Sequence, residues 1–247
     1  VWCVEYNPEM AEEARRLLAR NHNGHKVEVV EADAFSYLPP EPVDVVICEM
    51  IHVAMLREKQ VEMIESFKRR YLKYFGGPLP VFIPEAAILG VQPLQQEYSF
   101  SGFNAPIVQF RDTQFISPGA TELAAPAVYR TLDFLQPNDA LIKWDGRFKI
   151  EQDGAVNALR FITKNILAID LVSRTTIDWL NHYMVLPLTL PVAVKQGDEL
   201  RLRFQYRAGG TIPSLIASLR ADVARAEAKP TGITKPGRAA KKQPVYS

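Results

Sequence analysis

Val1-Trp2-Cys3-Val4-Glu5-Tyr6-Asn7-Pro8-Glu9 decides the fold class. Its apolar run stops at an acid, and Asn7, Pro8 and Glu9 then supply an N-cap, a first-turn proline and a charge suited to the positive end of a helix. This is a strand running into a helix. The helix, from 8 to about 21, places Met10, Ala14, Leu17 and Leu18 on one face and closes at Asn23-Gly24. A strand over 26–30 follows, then the turn Glu31-Ala32-Asp33-Ala34, a proline-rich link over 38–42 and a buried strand over 43–48. Strand, helix, strand, short crossover and strand predict a parallel α/β sheet.

Further along, a helical pattern over about 59–74 (Val61, Ile64, Phe67, Tyr71) closes at Gly76-Gly77-Pro78, and a strand over 79–83 ends at Pro84. From Ala86 the pattern changes to short runs such as AILGVQPL, VYRTLDFL, NALRFITKNILAIDLV and ELRLRFQYR. Repeated strands without helical spacing predict a β-barrel or sandwich. Residues 212–226 suit a helix or a strand; we read them as a last strand that frays. The chain therefore divides into an α/β part over 1–85, a β-barrel-like part over 86–228 and a tail over 229–247.

The 247 residues are 47% hydrophobic and 23% charged, enough to bury a substantial core. No apolar run approaches the ~18 residues of a membrane-spanning helix, and the first residues lack signal-peptide chemistry. We expect a soluble, cytoplasmic protein with no membrane partner. Cys3 and Cys48 lie too far apart for a CxxC pattern, so neither a disulfide scaffold nor a metal site is expected. The net charge of +1 hides a tail with five basic residues and no acid from Lys229 onward, against −4 for residues 1–228. We assign that tail no site and expect it to be disordered, because it has little apolar surface to bury.

Three segments carry chemistry. Glu5, at the carboxyl end of the first strand, stands where open α/β sheets place a carboxylate that accepts from both ribose hydroxyls. Asp33, in EADAF, can accept from an adenine amino group while the Ala34 amide donates to a ring nitrogen. A dinucleotide enzyme would also need G-x-G-x-x-G, which does not occur. In Cys48-Glu49-Met50-Ile51-His52-Val53-Ala54-Met55-Leu56-Arg57-Glu58, two carboxylates nine positions apart bracket an apolar loop. Such a pair suits a guanidinium, whose planar fork presents paired N–H donors. The plainer reading makes Glu49 a strand end and Glu58 a helix start. His52 reads as an ordinary loop histidine.

These residues resemble the protein arginine methyltransferases, a class I S-adenosylmethionine-dependent methyltransferase family, over roughly residues 1–226. The loop between Glu49 and Glu58 keeps the family's spacing, with Met50 in place of an aromatic. Leu72, Gly76-Gly77 and Val81-Phe82-Ile83-Pro84 resemble the family's exit into its barrel. Thr176-Ile177-Asp178-Trp179, before Gly197-Asp198, resembles a Thr-His-Trp loop with Asp178 replacing the histidine. The resemblance implies a Rossmann-like parallel sheet, entered here at its second strand, followed by a β-barrel. It also implies an S-adenosyl-L-methionine cofactor, with Glu5 on ribose and Asp33 and Ala34 on adenine. Glu49 and Glu58 would then hold the acceptor guanidino group, with Trp179 as part of its wall.

Asp178 is expected to add negative charge beside the loop. The glycine-rich loop would precede Val1, so we read these residues as part of a longer enzyme. Tyr98, Phe100, Phe103 and Phe110 fall where the family inserts a dimerisation arm, which suggests a homodimer, although packing is the plainer reading. Two further functions stay open: methyl transfer to RNA or a small molecule, and a noncatalytic binding module. The expected partner is a protein or peptide substrate.

Overall fold

The computed structural model describes residues 1–113 and 119–225. The expected disorder of the tail concerns residues outside that range. The chain opens with β1 (Trp2–Glu5), α1 (Pro8–Leu18) and β2 (Glu28–Glu31). Asn7 caps α1 through Oδ1, which accepts from Glu9 N at 2.9 Å and Met10 N at 3.3 Å. The helix stops at Leu18, short of the expected 21. Gly24 folds back so tightly on Leu18 that a Cβ there would lie 1.8 Å from its carbonyl oxygen. β1 and β2 pair in parallel, Glu5 opposite Glu31.

β3 (Val45–Ile47) leads through a short turn at Val53–Met55 into α2 (Gln60–Tyr74), and β4 (Val81–Ile83) returns parallel to β3. The expected parallel strands are thus present as two separate pairs; no ladder joins β1–β2 to β3–β4 among the described residues. The face of α2 carrying Val61, Ile64, Phe67 and Tyr71 is buried. The Tyr71 hydroxyl accepts from Val43 N at 3.1 Å, and Arg70 donates to the carbonyls of Tyr37 (2.7 Å) and Ala34 (3.1 Å). α2 is therefore fixed to the segment that leads into β3 and to the turn after β2.

The β-rich part begins with β5 (Ala86–Gln96), the hairpin β6 (Ser99–Phe100) and β7 (Phe103–Asn104), then β8 (Gln109–Arg111) and β9 (Ala120–Glu122). It continues with β10 (Ala127–Asp133), β11 (Leu141–Lys149), β12 (Gly154–Asp170), β13 (Thr175–Leu180), β14 (Tyr183–Val194) and β15 (Glu199–Arg207). The curled main sheet runs β10-β5-β12-β14-β8, with β13 on β12 and β9 on β5; β11-β15-β16 forms a second sheet, where β16 is Arg220–Ala224. Between β15 and β16 lies α3 (Ile212–Ser218), where a strand was expected. Thr211 Oγ1 accepts from Ser214 N and Pro213 sits in the first turn, so local capping decides for a helix until β15 captures the next residues.

One core serves both parts. Cys48, Ile64, Phe67 and Phe82 from the α/β part join Leu89, Phe134, Phe161 and Phe204 from the β-rich part. Tyr129, Trp144, Phe161 and Phe204 interlock there in edge and tilted contacts 5.2–6.3 Å apart. Of the four aromatics assigned to the arm region, Tyr98 alone is buried; Phe100, Phe103 and Phe110 are exposed.

Candidate active site

The carboxyl ends of β1 and β2 carry the first acids. The parallel register continues one step past the strands, where Ala32 N donates to Glu5 O at 3.0 Å, and this places Asp33 beside the end of β1. Glu5 Oε1 accepts from Asn7 N at 2.7 Å and Asp33 Oδ1 from Phe35 N at 2.8 Å, so each acid spends one oxygen on its own turn. Among the described residues the Ala34 N–H has no hydrogen-bond partner. Its carbonyl is held by Arg70.

Glu49 follows buried Cys48 at the end of β3, and Glu58 stands two residues before α2. Both are exposed, and among the described residues neither carboxylate makes a hydrogen bond or ion pair. The backbone between them is unusual. Ala54, Met55 and Arg57 are all left-handed, with φ of 58°, 53° and 63°. That conformation costs a non-glycine residue about 1–2 kcal/mol, so outside contacts must hold it.

These contacts come from the β-rich part. Ala54 N donates to Thr163 Oγ1 at 2.7 Å, and the Tyr206 hydroxyl donates to Ala54 O at 2.9 Å. Gly209 N donates to Met55 O at 2.7 Å, and Arg57 N to Gly210 O at 2.8 Å. Gly209 has φ +76° and lies so close that a Cβ would come 2.9 Å from Lys59 Cγ. Sequence reading missed Thr163, Tyr206 and Gly209. The available signals were a threonine and a tyrosine on the inward positions of apolar strands, and a Gly-Gly pair directly after one.

β12 also carries the backbone of Trp179. Asn165 Nδ2, two residues beyond Thr163 and fully buried, donates to Trp179 O at 3.3 Å and to Asn181 Oδ1 at 2.6 Å. Trp179 is 48% exposed. The negative charge expected from Asp178 is offset, because Lys164 Nζ lies 2.6 Å from its carboxylate. His52 is half-buried: its ring meets Phe110 edge-on at 5.8 Å, and burial lowers its pKa. Two surface hollows of about 440 and 420 Å3 lie elsewhere, the first lined by Lys143, Trp144 and Arg203, the second by Val61, Glu65 and Arg69. No helix of the described residues is long and apolar enough to cross a membrane.

No family model matches the chain. An uncharacterized protein of Methanocaldococcus jannaschii is 24% identical over 220 residues, spanning 89% of this chain and 77% of that protein. Another, from Methanothermobacter thermautotrophicus, is 26% identical over 222 residues, with 89% and 78% covered. Among solved structures, protein arginine methyltransferase 10 of Arabidopsis thaliana, described in a uniquely open conformation, superposes with a TM-score of 0.64 at 18% identity, covering 83% of this chain and 72% of that one. The fold is that of the protein arginine methyltransferases. The Trypanosoma brucei PRMT1 enzyme–prozyme heterotetrameric complex with AdoHcy agrees, with a TM-score of 0.63 at 12% identity over 90% of this chain and 80% of its own. In sequence, the Arabidopsis protein arginine N-methyltransferase PRMT10 is 35% identical over 95 residues, 38% of this chain and 24% of that protein.

Proposed function

We propose that the chain is an S-adenosyl-L-methionine-dependent methyltransferase whose acceptor is a guanidino or similar nitrogen on a protein or peptide, held by Glu49 and Glu58. The observation that carries this reading is the strained loop, which ends in two exposed, unpaired carboxylates on a protein arginine methyltransferase fold. Residues 1–85 would serve the cofactor and 86–228 the acceptor.

The residues present fit the adenosine half of the cofactor. Glu5 and Asp33 stand at the same end of two paired strands, each using one oxygen locally, and the Ala34 N–H is unengaged among the described residues. Glu5 would take the ribose hydroxyls, Asp33 the adenine amino group and Ala34 a ring nitrogen. When bound, the cofactor supplies an electrophilic methyl group. The protein's own work is alignment and charge. Glu49 and Glu58, ionised, accept the paired N–H donors of the guanidinium and fix one nitrogen in an in-line orientation. Their negative charge also localises the cation's charge and favours attack. Trp179 would wall the acceptor on the β13 side. We assign the exposed Phe100 and Phe103 of the β6–β7 hairpin to contact with a second copy of the chain.

Isothermal titration of the full-length protein with S-adenosylhomocysteine tests the cofactor assignment. Binding should weaken at least about tenfold in Glu5→Ala, the loss of a charge-assisted hydrogen-bond pair. An absence of binding, or binding indifferent to that substitution, would refute it.

A further inference from the structure

Every left-handed residue between Glu49 and Glu58 is hydrogen-bonded to the β-rich part. Met55 and Arg57 are held through the backbone of Gly209 and Gly210. Ala54 is different, because both of its peptide polar groups are taken by side chains. Its N–H reaches Thr163 Oγ1 at 2.7 Å and its carbonyl receives the Tyr206 hydroxyl at 2.9 Å. Thr163 is fully buried and Tyr206 is 3% exposed. Since Tyr206 gives its proton to Ala54, its oxygen is left to accept from Tyr129, whose hydroxyl lies 2.8 Å away.

We infer that Thr163 and Tyr206, with Tyr129 behind them, are positioning residues for the two acceptor carboxylates. This rests on the reading that Glu49 and Glu58 hold the methyl acceptor; neither Thr163 nor Tyr206 is assigned a contact with the acceptor itself. Ala54 lies five residues after Glu49 and four before Glu58. Rotation of its peptide would swing one carboxylate relative to the other, and misplacement by about 1 Å is enough to cost a reaction 100-fold. Valine and phenylalanine would fill the same volumes but leave the buried Ala54 N–H and carbonyl unpaired, so these two hydroxyls serve the backbone of the loop and not the packing around it.

The strand holding Ala54 also sets the opposite wall. Thr163 holds the loop, Lys164 pairs with Asp178, and Asn165 holds the carbonyl of Trp179. Thr163 and Asn165, on one face of β12, thus tie the acidic loop and the Trp179 backbone to the same strand, while Lys164 pairs with Asp178 on the other face.

Steady-state kinetics of the full-length protein with an arginine-rich peptide tests this in Thr163→Val, Thr163→Ser, Tyr206→Phe and Glu58→Gln, with S-adenosylhomocysteine affinity measured alongside. Thr163→Val and Tyr206→Phe should lower kcat about 10- to 100-fold with cofactor affinity within about twofold of wild type, and Thr163→Ser should restore kcat to within about threefold. Adding Thr163→Val to Glu58→Gln should cost much less than the product of the two single losses, because both act on the same carboxylate pair. A purely structural role would instead multiply the two losses, or lower cofactor binding and kcat together. Either result overturns the inference, as does a kcat within about threefold of wild type in the valine and phenylalanine variants. Should Thr163→Val fail to fold, Tyr206→Phe and Thr163→Ser decide. A wild-type protein that transfers no methyl to arginine refutes the function and this inference with it, whereas an active wild type with unaffected variants refutes the inference alone.

Discussion

Single residues divide into those whose role can be read nearby in sequence and those whose role cannot. Cys48 follows an apolar run and is buried, and burial pushes its thiol pKa up to about 12, whereas Cys3 is exposed. Because the thiolate is the reactive form, iodoacetamide at pH 8 should alkylate the native chain at Cys3 alone and add Cys48 only after unfolding. Mass spectrometry distinguishes the two states; modification of native Cys48 would contradict the described packing around β3. The placement of Glu5, Asp33, Glu49 and Glu58 at strand and loop ends was legible because it follows from a strand-turn-helix pattern. Thr163 and Tyr206 were not. Their partner, Ala54, lies 109 and 152 residues away, and no local pattern announces a contact that distant. Asp178 was legible as a charge but not as a neutralised one, since Lys164 meets it only across the β12–β13 register.

Elements were legible where caps and periodicity agree. The Asn7-Pro8-Glu9 start of α1 and the apolar face of α2 both appear as expected. Asn7→Ala should destabilise the chain by about 1 kcal/mol, read as a lowered urea midpoint at unchanged slope. A change under a few tenths would mean that the cap contributes nothing to α1. The segment after β15 was misread as a strand although Ile212, Leu215, Ile216 and Leu219 stand at i, i+3, i+4 and i+7, a helical spacing. Thr211 and Pro213 close a helical turn, and then β15 offers a free edge to residues 220–224. The end of α1 was overextended for a similar reason, since only the contact of Gly24 with Leu18 shows why the turn must come early.

For the whole molecule, the change from α/β to β-rich sequence at about residue 85 is real, yet it does not separate two cores. Glu85 N donates to Ile166 O and Phe134 N to Glu85 O, so the boundary residue is itself stitched into the β-rich part. The long β12 follows from this arrangement: it lies in the main sheet against β5 and β14 and reaches the acidic loop and Trp179 through Thr163 and Asn165. The acidic loop thus lies at the seam, a strained segment of one part held by buried hydroxyls of the other. The measurement that bears on this most directly is transfer of radiolabelled methyl from S-adenosyl-L-methionine by the full-length protein, with an arginine-rich peptide and total RNA as competing acceptors. Label should appear on arginine, and Glu58→Gln should reduce it at least about 100-fold, the scale of a lost charge at a reacting centre. Label on RNA alone, or arginine labelling undiminished in Glu58→Gln, would contradict the assignment of Glu49 and Glu58 to a guanidinium acceptor.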